Sequence, residues 1–535
     1  MKKSILTLIL GTVLTLSSFS LAGCSNTEPA VSESSVEAVE STAVESGAAE
    51  STQSETETVL AASEETETEG EIKEGGDFVF GLATEVYNYD PFDSATADAR
   101  SIYFNIYDGL VKTTPEGDFE PAIAESYEIS EDASVYTFHL RQGVKFHNGE
   151  TVTADDVLYS IQRAIDTASS GYDKIESVEA TDDQTVVVTL SEGNTDFLAY
   201  ATQAIVPKDY TDLALNPIGT GPFKFEEYVE QDHVKLVKNE EYWGEPAHLD
   251  SVTVKFGTEL VTYFQVGSID GFGTNAGTAQ QLDLENLTVY TTNSNAVQLL
   301  ALNNDFEPFQ DVRVRQAINY LVDADEIIDT VTYGYGVKIG SGLIPGLSKY
   351  FDESLVDVYD VNVEKAKELL EEAGYGDGFE FTIKVPSVYQ VHIDTAQVIL
   401  NELAAAGINA SIEQVDWATW LENVYRNRQF EATIISLDGS PATPTAFLKR
   451  YASDASGNFI NFKSEAYDEV YAKAIAATDD AERVELFKEA QKILSEEAAS
   501  VFIQDISSVT IYNDEFDGIQ SYPLYVNDFS AIYQK

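Results

Sequence analysis

Past Gly76 the chain alternates short apolar or β-branched runs with longer segments of helical spacing, and this alternation restricts it to an α/β architecture. Phe78-Val79-Phe80-Gly81-Leu82-Ala83 and Val186-Val187-Val188-Thr189-Leu190 read as strands, because such side chains fit a pleated surface and turn residues bound both runs. Thr153, with Asp156 three residues on, gives a capping-box-like start to a helix that sets Val157, Ile161, Ala164 and Ile165 on one face. Asn362 is placed to cap a helix over 363–373 that stops at Gly374. A similar helix over 394–406 ends at Gly407 and feeds a strand over 408–415. At 535 residues the chain is several times the usual ~150-residue domain, so two or more lobes are expected. No repeat of 20 to 50 residues runs through it, which argues against solenoids and propellers.

The first 76 residues obey other rules. Lys2 and Lys3 precede an apolar run over 5–16, then serines, then Leu21-Ala22-Gly23-Cys24, the layout of a secretory signal too short to span a bilayer. From 25 to 76 the chain is Ser, Thr, Glu and Ala, with 14 Glu against one Lys. Such a segment cannot bury a core and is expected to be a disordered tether with an r.m.s. span of roughly 40 Å, either a spacer or simple filler. The whole chain carries 31 Lys+Arg against 92 Asp+Glu, net −61, which repels phosphate backbones and excludes a nucleic-acid partner.

Cys24 is the only cysteine, which removes disulfide frameworks, CxxC redox pairs and all-cysteine zinc sites. His139, His147, His233, His248 and His392 include no i, i+4 pair to aim two imidazoles at one ion. No G-x-S-x-G, S-x-x-K, HExxH, Walker A, G-x-G-x-x-G or EF-hand loop occurs, and with 92 acids a pair of carboxylates signifies nothing. The expectation is a chain without catalysis, cofactor or protein-built metal site.

Leu21-Ala22-Gly23-Cys24 resembles the bacterial lipobox. The resemblance implies cleavage before Cys24 and acyl chains on it, holding the protein on the extracytoplasmic face of the membrane; the alternative is an ordinary signal with an incidental Cys. Further on come Pro121-Ala122-Ile123-Ala124-Glu125-Ser126, Tyr136-Thr137-Phe138-His139-Leu140-Arg141, Gly143-Val144-Lys145-Phe146-His147-Asn148-Gly149 and Thr153-Ala154-Asp155-Asp156-Val157-Leu158-Tyr159-Ser160. They are followed by Asn216-Pro217-Ile218-Gly219-Thr220-Gly221-Pro222-Phe223, Tyr242-Trp243, Asp311-Val312-Arg313-Val314-Arg315-Gln316-Ala317 and Asp416-Trp417-Ala418-Thr419-Trp420-Leu421. In this order the runs resemble the peptide/nickel/opine group of extracellular solute-binding proteins, family 5, the capture subunits of ABC importers. Most of these residues read as scaffold, His147 and Trp243 among them.

The resemblance implies two lobes that close like a hinged trap, of the periplasmic-binding-protein-like type, with an extra subdomain in the first lobe. Mapped here, residues 1–23 are the signal and 24–76 the tether. Residues 77–110, 218–297 and 505–535 form the first lobe, 111–217 the inserted subdomain and 298–504 the second lobe. It also implies a monomer that hands a small peptide or similar solute to permease subunits. Binders of opines, glycosides or metal chelates stay open within the class; outside it stand an envelope hydrolase and a ligand-presenting sensor. In peptide-binding members the loop after the first strand lines the cleft, which places Glu85, Val86, Tyr87 and Asn88 there. In the second lobe those members carry a Trp and, three positions later, an Asp for the peptide ammonium; this chain has Leu437 and Ser440 instead. Asp438 lies between them, either as a substitute or as part of a polar turn. Tyr389, His392, Trp417 and Trp420 complete the candidates.

Overall fold

The computed structural model describes residues 72–93, 96–284, 287–439 and 441–535; the leader, Cys24, most of the acidic segment and Ser440 lie outside them. Residues 73–76, at the end of the segment expected to be a tether, are hydrogen-bonded to the body. Lys73 N donates to the Gln534 carbonyl at 3.1 Å and Gly75 N to that of His248 at 2.8 Å, while His248 Nδ1 lies 2.9 Å from the Glu74 carboxylate. Backbone hydrogen bonds fix these residues, and composition says nothing about those.

The expected elements form where their side chains can be buried. Thr185–Leu190 pairs antiparallel with Val135–Leu140, so that Val186, Val188 and Leu190 share a buried face with Tyr136, Phe138 and Leu140. Helix Ala154–Asp166 starts where the Asp156 carboxylate accepts from both the Thr153 amide, at 2.8 Å, and its hydroxyl, at 2.6 Å. Asn362 caps Val363–Glu372 by accepting from the Lys365 amide, and Gly374 follows at φ +88°, a left-handed turn that only glycine adopts freely. The next helix runs over Gln390–Ala404, four residues ahead of expectation. Asp394 is not its cap but the i+4 partner of Gln390, whose amide donates to it at 2.8 Å.

An eleven-stranded sheet forms the frame. Its order is Asn409–Val415, Glu380–Pro386, Ala432–Asp438, Leu287–Leu302, Val501–Asn513, Gly271–Thr274, Asp77–Leu82, Ser251–Phe256, His233–Lys238 and Phe223–Val229, with Gly336–Lys338 paired to Val501–Asn513 off this path. Two antiparallel strands, Leu287–Leu302 and Val501–Asn513, run through its middle. Their register breaks between Asn293 and Val297, where Asn295 takes φ +58°.

Hydrophobic packing divides at that break. One continuous core joins Phe78 and Phe80 of the first strand, through Tyr107, to Tyr136, Phe138, Val186 and Val188 of the separate four-stranded sheet. Beyond the break, Val297, Leu299 and Ala301 face one cluster while Leu300 and Leu302 face another, as the two-residue period of a strand buried on both faces demands. The result is a two-lobed α/β body in which the four-stranded sheet shares the first lobe's core. Among the described residues no helix is long and apolar enough to cross a membrane.

Candidate functional site

In each lobe the central strands are parallel, and their carboxyl ends carry the loops singled out from sequence. Asp77–Leu82 runs parallel to Ser251–Phe256 and to Gly271–Thr274; Glu380–Pro386 runs parallel to Asn409–Val415 and to Ala432–Asp438. In open α/β sheets ligands settle outside these carboxyl ends, where successive loops diverge. Here the first-lobe loop begins at Ala83, and the second-lobe loops hold Tyr389, Trp417 and Asp438.

Of the four first-lobe candidates, Tyr87 presents its side chain freely, with 71% of the residue exposed. Glu85 turns toward the neighbouring hairpin and accepts from Tyr228 Oη and the Gln231 amide, both at 2.6 Å; these bonds lower its pKa. Val86 is buried, and its carbonyl accepts from Tyr89 Oη. Asn88 braces the turn: its amide group donates to Asp93, its side-chain oxygen accepts from the Asp90 amide, and its carbonyl accepts from Tyr103 Oη.

In the second lobe the candidates separate in the same way. Tyr389 and Trp417 are partly exposed and meet edge to face, with ring centroids 5.7 Å apart. Trp417 stacks on Trp420 at 5.2 Å and an interplanar angle of 5°. Trp420 is buried beneath it and donates from Nε1 to Thr433 Oγ1 at 2.9 Å, so it supports the exposed ring instead of lining the cleft. The backbone from Trp420 to Arg426 winds as a π-helix, a wide turn that brings Tyr425 against Trp420 at i+5, with ring centroids 6.0 Å apart.

His392 is likewise interior. Burial pushes its imidazole down to about 4, so the ring is neutral, and its Nδ1 stands 3.0 Å from Gln298 Nε2, from which it accepts. Gln504 Nε2 donates to Gln298 Oε1 at 2.8 Å, which ties His392 to both central strands next to their register break. Leu437 points into the second-lobe core from its position opposite Val297. Asp438 keeps an exposed carboxylate while its carbonyl accepts from the Arg450 guanidinium.

A cavity of about 370 Å³ opens at the carboxyl ends of the first-lobe strands. Ala83 lies in its wall, together with Asn275, Ser294, Asn295, Tyr525 and Asn527, none of which the sequence had suggested. Asn275 alone had a readable cue, its place just after a strand. The others come from the register break and from the C-terminal segment, which has no periodicity to read. Tyr389, Trp417 and Asp438 are not part of this wall.

The family model for bacterial extracellular solute-binding proteins, family 5, matches residues 118–459. Heme-binding protein A of Haemophilus influenzae is 30% identical over 484 residues, covering 81% of this chain and 87% of its own. The dipeptide-binding protein of Escherichia coli is 27% identical over 500 residues, covering 84% and 92%. Among solved structures, the ABC transporter-associated periplasmic binding protein DppA of Helicobacter pylori in complex with the peptide STSA is 31% identical with a TM-score of 0.65, covering 86% of this chain and 98% of its own. HbpA2 of Haemophilus parasuis is 26% identical with a TM-score of 0.79, covering 86% and 100%. These relatives are solute-binding proteins, matched along most of their length by a two-lobed body with facing strand ends, and the chain belongs to the bacterial extracellular solute-binding proteins, family 5.

Proposed function

We propose that this protein is a lipid-anchored trap that closes its two lobes on a small peptide or similar solute and presents it to an ABC permease. The observation that carries the reading is the pair of facing strand-end surfaces. Tyr87 projects from the first lobe, Tyr389, Trp417 and Asp438 from the second, and among the described residues the continuous strands between the two sets of cores are Leu287–Leu302 and Val501–Asn513. A register break in both strands at one level is where a hinge can bend without unpairing a sheet.

The first lobe then comprises 77–110, 218–297 and 505–535, the second lobe 298–504, and 111–217 is the inserted subdomain. Asp438 supplies the negative charge for a solute ammonium, and Tyr87, Tyr389 and Trp417 cover its apolar part. Relatives named as dipeptide- and oligopeptide-binding proteins support a peptide as the solute class. Cys24 carries the acyl chains, and the acidic segment lets the trap reach away from the lipid surface.

Native mass spectrometry of the protein purified from its own host tests this directly. One solute molecule per chain, chemically unaltered, is expected, together with a smaller radius of gyration for the loaded form. A turned-over product, or a loaded form as extended as the empty one, would overturn the reading.

A further inference from the structure

A larger cavity, of about 670 Å³, lies among residues 91–248 and 518–533, and no residue of 298–504 enters its wall. Its form is set by elements that share one continuous core, so it does not depend on how the two lobes are disposed. None of Glu85, Val86, Tyr87, Asn88, Tyr389, Trp417 and Asp438 lines it, and with the 370 Å³ cavity it shares Gln520, Tyr522, Leu524 and Val526 of the C-terminal segment. That segment is fastened to helix Ala97–Ile106. Asn105 Nδ2 donates to the Asn527 carbonyl at 2.7 Å, and Asn105 Oδ1 accepts from the Phe529 amide at 2.9 Å. A space of this volume suits a small molecule.

The wall is rich in aromatic rings: Tyr103, Phe104, Tyr107, Tyr242, Tyr522 and Tyr533 line it, and Phe104 meets Tyr522 edge to face with centroids 5.1 Å apart. Rings of this kind attract a cation over their faces. The ionised groups favour the same sign. Glu120, Glu245 and Asp528 stand in the wall against Arg100 and Lys112; Lys112 is paired with Glu120 at 3.1 Å, and Arg100 is exposed, where water screens it. His248 lies beside the Glu74 carboxylate. Asp528 accepts from Tyr522 Oη at 2.8 Å, and the buried Asp108 accepts from Trp243 Nε1 at 2.8 Å, Thr220 Oγ1 at 3.0 Å and Tyr242 Oη at 3.4 Å. Burial pushes the Tyr242 and Tyr522 phenols up, and carboxylates push both further: Asp108, Asp528 and Glu120 at Tyr242, and Asp528, Glu120 and Glu116 at Tyr522.

We propose that this cavity is a second binding site, for an organic ammonium ion with an apolar body, separate from the strand-end surfaces where the solute is captured. The ammonium group sits by Asp528 and Glu120, and the rings of Phe104, Tyr242 and Tyr522 enclose the apolar part. A neutral molecule of the same shape gains the apolar contacts but not the attraction of the carboxylates and ring faces. The site stands whichever way the trap reading falls, because no residue of 298–504 takes part in it.

The test is calorimetric titration of the full chain carrying Cys24→Ser, which keeps it free of detergent that would enter an apolar cavity. The probes are benzyltrimethylammonium and 4-tert-butylbenzyl alcohol, a neutral molecule of similar shape. One cation per chain should bind, at least about tenfold more tightly than the alcohol. Glu120→Gln/Asp528→Asn should weaken the cation by about tenfold, whereas Asp438→Ala, at the strand-end surface, should leave its affinity unchanged. Should Asp528→Asn fail to fold, Glu120→Gln alone decides, because the side chains of Glu120 and its partner Lys112 are both exposed, and a severalfold loss is expected. No saturable binding of the cation up to about 10 mM overturns the proposal. So does an alcohol that binds as tightly as the cation, an affinity unchanged by the Glu120 and Asp528 substitutions, or one lowered by Asp438→Ala. None of these results touches the trap reading, which is decided by the solute bound between the lobes.

Discussion

Asp505 sits in strand Val501–Asn513 opposite the register break and is fully buried, a charged group in an otherwise neutral stretch. One carboxylate oxygen accepts from Ser294 Oγ at 3.0 Å and from the Ala296 amide at 3.3 Å; the other has no partner. Burial lifts the carboxyl to about 7, against roughly 3.9 in an unfolded chain. Below roughly pH 4 both states are protonated and the group contributes nothing to the balance. Between roughly pH 4 and pH 7 the folded chain holds a proton that the unfolded chain has lost, so stability falls as pH rises through that window. Three pH units at 1.36 kcal/mol each amount to ~4 kcal/mol lost by about pH 8. Asp505→Asn keeps the shape and the two accepted hydrogen bonds and abolishes the titration. The variant should match the parent near pH 4.5 and exceed it by ~2 to 4 kcal/mol at pH 8, seen in calorimetry as a midpoint raised by about 1 °C per kcal/mol for a body of this size. A difference that does not change with pH, or an Asn variant less stable than the parent at pH 8, would refute the argument from burial.

Other consequences are open to simpler assays. Cys24→Ala should release the protein from membranes, and a variant still membrane-bound after a salt wash would refute the lipid anchor. Deleting residues 26–70 should leave the unfolding midpoint within about a degree, since a Ser, Thr, Glu and Ala segment of this composition buries no core; a larger fall would show that the acidic segment packs on the body. Tyr87→Ala should change stability by less than ~0.5 kcal/mol while weakening solute binding by more than ~1 kcal/mol, both read by calorimetry, because its side chain is exposed. Asp438→Ala should weaken a cationic solute by about 2 to 5 kcal/mol if closure desolvates the pair. A loss under ~1 kcal/mol would return Asp438 to the role of a turn residue.

The α/β layout was readable because burial enforces periodicity, and the same periodicity held a cue about the site. His392, Ala396, Ile399 and Leu403 fall at i, i+4, i+7 and i+11 on one face of helix Gln390–Ala404, and all four are buried. The spacing thus assigns His392 to the core, against its appeal as a lone imidazole near a binding loop. Leu437 is settled similarly by its alternation with Ile435 on one face of a strand. Trp420 had no such cue: the π-helix that carries it replaces the 3.6-residue period with a wider one, so the stack of Trp417, Trp420 and Tyr425 has a spacing that no helical pattern suggests.

The register break was hidden for a different reason. A register break is a property of two strands distant in sequence, and Asn295 at φ +58° is an ordinary residue until Val501–Asn513 lies beside it. Its sequence trace is the misplaced charge. A strand buried on both faces should read as unbroken apolar residues, yet Val501-Phe502-Ile503 is interrupted by Gln504 and Asp505 before Ile506. Those two polar side chains meet Gln298 and Ser294 of the opposite strand at the level where pairing fails. Buried polar groups tolerate only arrangements that keep them bonded. On the hinge reading proposed above, two such pairs at the register break restrict bending to the few geometries in which both survive, which a purely apolar seam would not do.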